Sequence, residues 1–511
     1  MTDGPVAETP EGTVQPIVAE GRNCWRIERA ERASVVVDAA DYYHLIHEAM
    51  DKARQRILIL GWDFDTRICL EQKNGKRSET LGHFFLRLAK SNPAREIDIL
   101  KWNFGALKQF LHPRAVWFLL RWSRTRAIDF RLDSAHPPGC SHHQKIVVID
   151  EQFAVCGGID ISTGRWDTPQ HRDNEPGRRL PGGKPYMPWH DATMLLTGDV
   201  AGALADLGRD RWHVATNGQL LPLPQASERL WPDDLPAQFE NVQVAIARTR
   251  APYRDVEEVR EIEALYLDMI AAARRFIYFE NQYFTSAKVA AAIANRMEEA
   301  DPPEIVMVMP RQADGWLEQM AMDAARVQLA RAIAKVDRLN RFRIYVPVTD
   351  GGTDIYVHAK VSIVDDRLLR VGSSNLNNRS LGLDSECDVV IDAGLAGNRD
   401  TPQEIARIRN RLLAEHLGVE QEAFAAAFAE RGSLVATIEA LRSGGKTLDL
   451  LDLVKPGPFD AFIAENELLD PEHAEGFLDP LAARGLRKQW KRIRSWRGRA
   501  RGKGGRRQPV G

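Results

Sequence analysis

Residues 140–168 read CSHHQKIVVIDEQFAVCGGIDISTGRWDT, and residues 357–380 return an altered copy, VHAKVSIVDDRLLRVGSSNLNNRS. Both contain His-x-Lys-x4-Asp: His143, Lys145 and Asp150 in the first, His358, Lys360 and Asp365 in the second. The flanks match too, with Gly157, Gly158 and Asp160 answering to Gly372, Ser373 and Asn375. The apolar runs IVVID and VSIVD are short and β-branched, which predicts strands, and two-residue alternation sets each His and its Lys on one strand face. A lone His on an apolar strand is usually a satisfied core residue, and a lone Lys a solvated charge. The duplication argues against that reading for these four. His142 falls on the opposite face and reads as structural.

The rest of the chain repeats in step. A helical pattern over residues 38–55 runs into RILILGWDFD, as a second over 258–274 runs into RFIYFENQYF. The strand pattern EIDILKW (96–102) answers to EIVMVMP (304–310), and DFRLD (129–133) to RFRIYVPV (341–348). From Arg56 to His143 is 87 positions and from Arg275 to His358 is 83. Such agreement indicates an internally duplicated α/β unit, each copy supplying half of a site.

The paired motifs resemble those of the phospholipase D superfamily. GGIDISTGRWDT (157–168), PWHD (188–191), YFENQYF (278–284) and DSE (384–386) are similar to its eukaryotic-type enzymes, and LAEHLG (413–418) to its closing element. The resemblance covers roughly residues 62–418. It implies an α/β fold of two phospholipase D-like α/β/α units packed together, the active site at their interface, with a helical C-terminal extension. The expected organisation is a disordered segment to residue 22, a first repeat over 23–216 and a linker or covering loop over 217–245. A second repeat over 246–418, a helical extension over 419–480 and a basic tail over 481–511 follow. Gly418 is placed to cap a helix ending there. The proline- and glycine-bearing stretch 171–188 reads as a mobile loop beside the first motif.

A phosphodiester repels nucleophiles, and its leaving alkoxide must be protonated. Two imidazoles answer both needs, one attacking in line and the other serving as general acid and then as base for water. By resemblance His143 is the nucleophile and His358 the acid/base. Lys145 and Lys360 would neutralise the phosphate oxygens, so no cofactor and no metal is expected, and no His/Cys/Asp cluster has ligand spacing along the sequence. Asp150 and Asp365 complete the catalytic motifs but read as anchors of strand ends. Asn375, Asp160 and Ser373 are the phosphate-binding candidates, although an ionised Asp160 cannot donate and suits positioning better. Glu386 resembles the residue that backs the second His, and Asp191 is the candidate behind the first. The aromatics Trp62, Trp102, Trp166, Trp189, Tyr278 and Tyr283 can hold a quaternary ammonium by cation–π contact. Singly, each reads as core.

At 511 residues, with 44% apolar and 27% charged, the composition is that of a globular protein. Five cysteines without a CxxC pair argue against a disulfide scaffold and for a reducing compartment. The first residues lack the pattern of a secretory signal, and the apolar run AVWFLL (115–120) is too short to span a bilayer. The expected location is therefore cytoplasmic or peripheral to a membrane, with signal-independent secretion left open. Twelve basic residues and no acid lie between Arg484 and Arg507, so the net charge of −2 conceals a body at −14. Such a tail suits an anionic membrane surface, with Trp490 and Trp496 at the interface. The resemblance implies a phospholipid substrate, phosphatidylcholine being usual, and a monomer. The alternatives are a cardiolipin synthase-like phosphatidyltransferase and a nuclease or phosphodiesterase of the same superfamily. A nuclease is favoured by the tail but not by the acidic body.

Overall fold

The computed structural model describes residues 15–73, 76–77, 79–103, 113–224, 230–312 and 316–453. In the first half β1 (Arg26–Val37), α1 (Ala39–Lys52) and β2 (Arg56–Gly61) are followed by a short pair, β3 (Gln72–Lys73) and β4 (Lys76–Arg77). Then come α2 (Leu81–Ser91), β5 (Glu96–Trp102), α3 (Pro113–Trp122) and β6 (Ile128–Asp133). The hairpin β7 (Ile146–Ile149) and β8 (Phe153–Gly157) precedes β9 (Trp189–His190), β10 (Ala192–Gly198) and α4 (Asp199–Thr216).

The second half opens with β11 (Phe239–Arg250), β12 (Val259–Arg260), α5 (Glu261–Ala272) and β13 (Phe276–Glu280). It continues through α6 (Ala287–Met297), β14 (Glu304–Val308), α7 (Trp316–Val336), β15 (Phe342–Val348) and β16 (Tyr356–Val357). The second hairpin, β17 (Val361–Val364) and β18 (Leu368–Gly372), leads to α8 (Asn378–Gly382), β19 (Glu386–Asp392) and α9 (Pro402–Leu417). Gly418 ends α9 in the left-handed conformation, φ 63°. Beyond it lie α10 (Gln421–Arg431), α11 (Leu434–Leu441) and β20 (Thr447–Leu450).

Outward from its middle the main sheet runs β1-β10-β8-β7-β2-β5-β6 on one side and β11-β19-β18-β17-β13-β14-β15 on the other, with β20 added at the second edge. The two orders are equivalent strand for strand, which is the duplication made visible. The halves are joined by the long antiparallel pairing of β1 with β11, Arg26 opposite Ile246 and Ala33 opposite Phe239. The outer three strands of each half are parallel, as helical crossovers require, and the inner ones antiparallel.

Every residue of β2, β7 and β8 is buried, because helices cover both faces of the sheet. On one face α4 and α9 pack onto strands of both halves, so Leu204, Leu412, Val148 and Val389 belong to a single apolar cluster. On the other face each half has its own layer, α1 and α2 over the first and α5 and α6 over the second. Among helices of the described residues, none is long and apolar enough to cross a membrane. All five cysteines are free.

Several boundaries differ from the sequence reading. Residues 15–22, expected to be disordered, pack against the second half: Ile17 and Val18 are buried, and both backbone amides donate to Asp392. The expected linker over 217–245 gives way at Phe239 to β11. In the expected helical extension, two helices are followed by β20, which pairs with β15 and covers the sheet edge. The stretch 171–188 is pinned: Arg178 bonds Asp167 and the carbonyls of Arg172 and Asp173, and Asp173 accepts from Thr349 at 2.6 Å. The basic tail lies outside the described residues.

Asp150 and Asp365 sit at the tips of the two hairpins, at the far end of β7 and β17 from the histidines. Both take a left-handed conformation, φ 53°. The Asp150 carboxylate accepts the amides of Arg54, Gln55 and Arg56 at 2.7, 2.7 and 2.8 Å. Asp365 accepts those of Arg274, Arg275 and Phe276 at 2.7, 2.8 and 2.8 Å. These aspartates clamp the turn before each central strand and are not catalytic groups, which corrects their place in the catalytic set. Asp150→Ala and Asp365→Ala are each expected to cost about 3 kcal/mol in a denaturant titration, since charge-assisted bonds to three amides are lost. Turnover per folded molecule should be unchanged.

Candidate active site

His143 and Lys145 lie in the residues that lead into β7, and His358 and Lys360 in those between β16 and β17. Both segments are held by the opposite half. The His143 amide donates to the Ser385 carbonyl at 2.9 Å, and the His358 amide to the His190 carbonyl at 2.8 Å. The residue after each of those carbonyls supplies a carboxylate to the same imidazole. His143 Nδ1 lies 3.0 Å from both oxygens of Glu386, and His358 Nδ1 lies 2.7 Å from Asp191 Oδ2. The expected pairing is therefore reversed: Glu386 holds the first His and Asp191 the second. Sequence resemblance locates both carboxylates but carries no register across the seam between the halves, and that register decides which imidazole each one meets.

Glu386 is further fixed by hydroxyls, accepting from Ser380 at 2.7 Å and from Ser373. Ser373 is fully buried and also accepts the Cys387 amide at 3.0 Å, so it supports the carboxylate and does not face substrate. This corrects its assignment as a phosphate ligand. Its equivalent in the first half is Gly158, where a Cβ would stand 2.1 Å from Asp191 Oδ1; only glycine lets that carboxylate reach His358. Burial raises the Glu386 carboxyl to about 8 and lowers the His143 imidazole. Hydroxyl donation from Ser373 and Ser380 opposes that rise and favours the ionised carboxylate, the form that accepts an Nδ1–H. Burial, and then Lys360, hold His358 below the usual imidazole range as well.

Lys145 pairs with Asp160 at 3.1 Å and donates to the His143 carbonyl at 3.2 Å. Asp160 is thus a partner of the lysine. Lys360 donates to Gln282 Oε1 at 3.3 Å and to the His358 carbonyl. Burial pushes its ammonium down to about 7, and the charge of Lys145 adds to the effect while Asp191 opposes it. Asn375 replaces Asp160 in the second half, and its buried Oδ1 has no hydrogen-bond partner. Trp62 meets the His143 ring edge-on at 6.1 Å and stacks on Trp102 at 5.7 Å. Trp189 lies 5.2 Å from the His358 ring and stacks on Tyr356. Trp62 and Trp189 therefore flank the two imidazoles.

Three groups escaped the sequence reading. Gln282 contacts Lys360, and Arg165 stacks 4.1 Å over Trp189 and acts electrostatically on His358. Both sit inside the motifs ENQYF and TGRWDT, which was the available signal. The third is a buried set of His and carboxylate groups within metal-ligand distance of one another, drawn from residues 38, 171, 190 and 415. Scattered through the chain, they show no ligand spacing, which is why the sequence carries no signal of them.

The family described as "Cardiolipin synthase, PLD-like domain" matches residues 266–409. Phospholipase D alpha 4 of Arabidopsis thaliana is 23% identical, covering 82% of this chain and 70% of its own length. Phospholipase D1 of Saccharomyces cerevisiae is 27% identical over 55% of this chain and 22% of its own length. The chain thus spans most of the plant relative but under a quarter of the yeast one. The solved phosphatidylserine synthase of Haemophilus influenzae Rd KW20 shares the fold, with a TM-score of 0.52, 12% identity and coverage of 86% of this chain and 94% of that one.

With its ammonium near 7, Lys360 should give kcat/KM for a soluble phosphodiester an alkaline limb close to neutrality, since deprotonation removes charge facing the phosphate. Lys360→Arg keeps its charge past about pH 12, so the limb should disappear while the rate falls. A limb unmoved in the Arg variant assigns it to another group. Glu386→Gln should cut kcat about a thousandfold by freeing the imidazole tautomer. Ser373→Ala should cost less, about tenfold, in kcat with KM unchanged.

Proposed function

We propose that this chain, a member of the phospholipase D superfamily, is a phospholipase D that hydrolyses glycerophospholipids, phosphatidylcholine among them, to phosphatidate and free headgroup alcohol. The observation that carries the reading is the seam itself, where each imidazole is held through Nδ1 by a buried carboxylate and accompanied by a buried lysine. With Nδ1 so held, Nε2 is the nitrogen of each imidazole left for chemistry on phosphorus.

His143 attacks through Nε2, forming the N–P bond as the P–O bond to the headgroup breaks, and His358 gives the departing alkoxide its proton. His358 then takes a proton from water, the oxygen attacks phosphorus, and the N–P bond breaks to return His143. The side-chain exposure of 13% for His143 against 6% for His358 supports this order, the nucleophile being the more accessible. Lys145, Lys360 and Asn375 stabilise the charge on the phosphate oxygens. No step passes through a metal. The basic tail over 481–511 holds the enzyme at an anionic membrane surface, each cation contributing on the order of 1 kcal/mol. The same intermediate in the presence of a lipid alcohol makes a phosphatidyltransferase, and the acceptor decides between the two.

A covalent intermediate offers a branch that direct attack by water does not. Added ethanol should therefore yield phosphatidylethanol at the expense of phosphatidate while headgroup release continues. With an activated leaving group, His358→Ala should form the adduct and stall, and acid-quenched peptide mapping should place the label on His143. Label on His358 in the His143→Ala protein would reverse the assignment. No adduct in either variant and no phosphatidylethanol would remove the mechanism. Truncation after Pro480 should weaken binding to anionic vesicles in a salt-dependent way and spare a soluble substrate.

A further inference from the structure

Behind the His358 arm lies a largely buried polar group that the reaction does not use. Asp38 precedes α1, His171 belongs to the pinned stretch after the first motif, His190 lies in β9 and Glu415 in α9. Glu415 Oε1 is 3.0 Å from His190 Nδ1 and 3.3 Å from His171 Nε2, while Asp38 Oδ2 is 3.4 Å from His171 Nε2 and Asp38 Oδ1 3.5 Å from His190 Nδ1. We propose that Asp38, His171, His190 and Glu415 form a closed structural site for one divalent transition-metal ion, with zinc the best match to the donors.

Four observations carry this. Donors about 2.0–2.1 Å from a tetrahedral zinc stand roughly 3.3–3.4 Å apart; Glu415 Oε1 lies 3.0 and 3.3 Å from the two imidazole nitrogens, an Asp38 oxygen lies 3.4 or 3.5 Å from each, and one donor atom from each of the four residues falls within 4.8 Å of the others. Each imidazole has its other nitrogen on a carboxylate, His171 Nδ1 at 3.0 Å from Asp167 and His190 Nε2 at 2.9 Å from Glu280, the outer support that metal-bound histidines carry. Asp38 is wholly buried, yet its Oδ2 has no hydrogen-bond partner. Finally, four carboxylates, of Asp38, Asp167, Glu280 and Glu415, gather on the two imidazoles, with Arg178 paired to Asp167 at 3.1 Å, so anionic donors are concentrated where a cation would sit.

The competing arrangement protonates both imidazoles. It would leave a single His171 Nε2–H to be divided between Glu415 Oε1 at 3.3 Å and Asp38 Oδ2 at 3.4 Å, long for charge-assisted bonds to either. The adjacent trio of His190, Glu280 and His416 is the weaker candidate, because the Glu280 oxygens are already taken by His190, His416 and the Tyr278 hydroxyl. With four protein ligands the site has no open position for substrate or water, so its role is mechanical. It ties α9 to the strand whose His190 carbonyl holds the His358 amide and whose next residue, Asp191, holds the His358 ring.

The test uses the full chain, purified without chelator and desalted, with metal measured by inductively coupled plasma mass spectrometry and ligands by X-ray absorption at the zinc edge. About one zinc per chain in a nitrogen and oxygen shell is expected. Glu415→Gln should lose at least tenfold in metal content, and Asp167→Asn should weaken affinity about ten- to a hundredfold. A strong chelator should lower the melting temperature and added zinc should restore it. Because metal content is read without turnover, the His143→Ala protein should retain its ion, which separates this proposal from the reaction assigned above. Folded wild-type protein without stoichiometric metal, and with a melting temperature indifferent to added zinc or manganese, overturns the site. So does a bound ion that survives both Glu415→Gln and Asp38→Asn.

Discussion

Each imidazole of the paired motifs is held by a carboxylate from the other half of the chain. Glu386 opens β19 and reaches His143; Asp191 precedes β10 and reaches His358. Because the preceding carbonyls, of Ser385 and His190, bind the amides of the same histidines, ring and backbone are fixed by one connection. Much of the architecture serves that crossing. The β1–β11 pairing makes a single sheet of the two halves, and the apolar layer beneath α4 and α9 spans both. Neither half alone can orient its own His, so the site exists only in the joined fold. Burial strengthens the arrangement further, since each Nδ1 hydrogen bond lies in a medium of low dielectric.

The duplicated halves differ where their chemistry differs. At one position Gly158 makes room for Asp191, while its equivalent Ser373 donates a hydroxyl to Glu386. At another, Asp160 neutralises Lys145, while Asn375 leaves Lys360 without a carboxylate and with an ammonium lowered by burial. Equivalent positions in two equivalent strand orders thus carry two unlike environments. That asymmetry is what a reaction with distinct nucleophile and acid requires, and it favours reading the two histidines as unequal partners.

The two hairpin aspartates illustrate how a motif can outlive its apparent meaning. Asp150 and Asp365 stand in register with the His and Lys of each motif, yet the strand carries them away from the seam. There each clamps three amides and so sets where the central strand begins. Their recurrence reflects the folding of the repeat, while the His and Lys of each motif stand at the other end of the strand.

The sequence by itself determined the duplication, the strands β7 and β17 that each His and Lys immediately precede, and the stretches from which the carboxylates would come. Those are properties of local period and spacing, written in IVVID and VSIVD and in the matched distances between their flanks. Which carboxylate meets which imidazole was decided by the tertiary structure, because two nearly equivalent strands can satisfy the same pattern and only their register across the seam breaks the tie. The role of Ser373 followed in the same way, its hydroxyl turning from substrate to Glu386 once that residue stood beside it. So did the grouping of Asp38, His171, His190 and Glu415. No spacing along the chain joins them, and they meet because α9 packs back over the first half as the shared apolar layer closes.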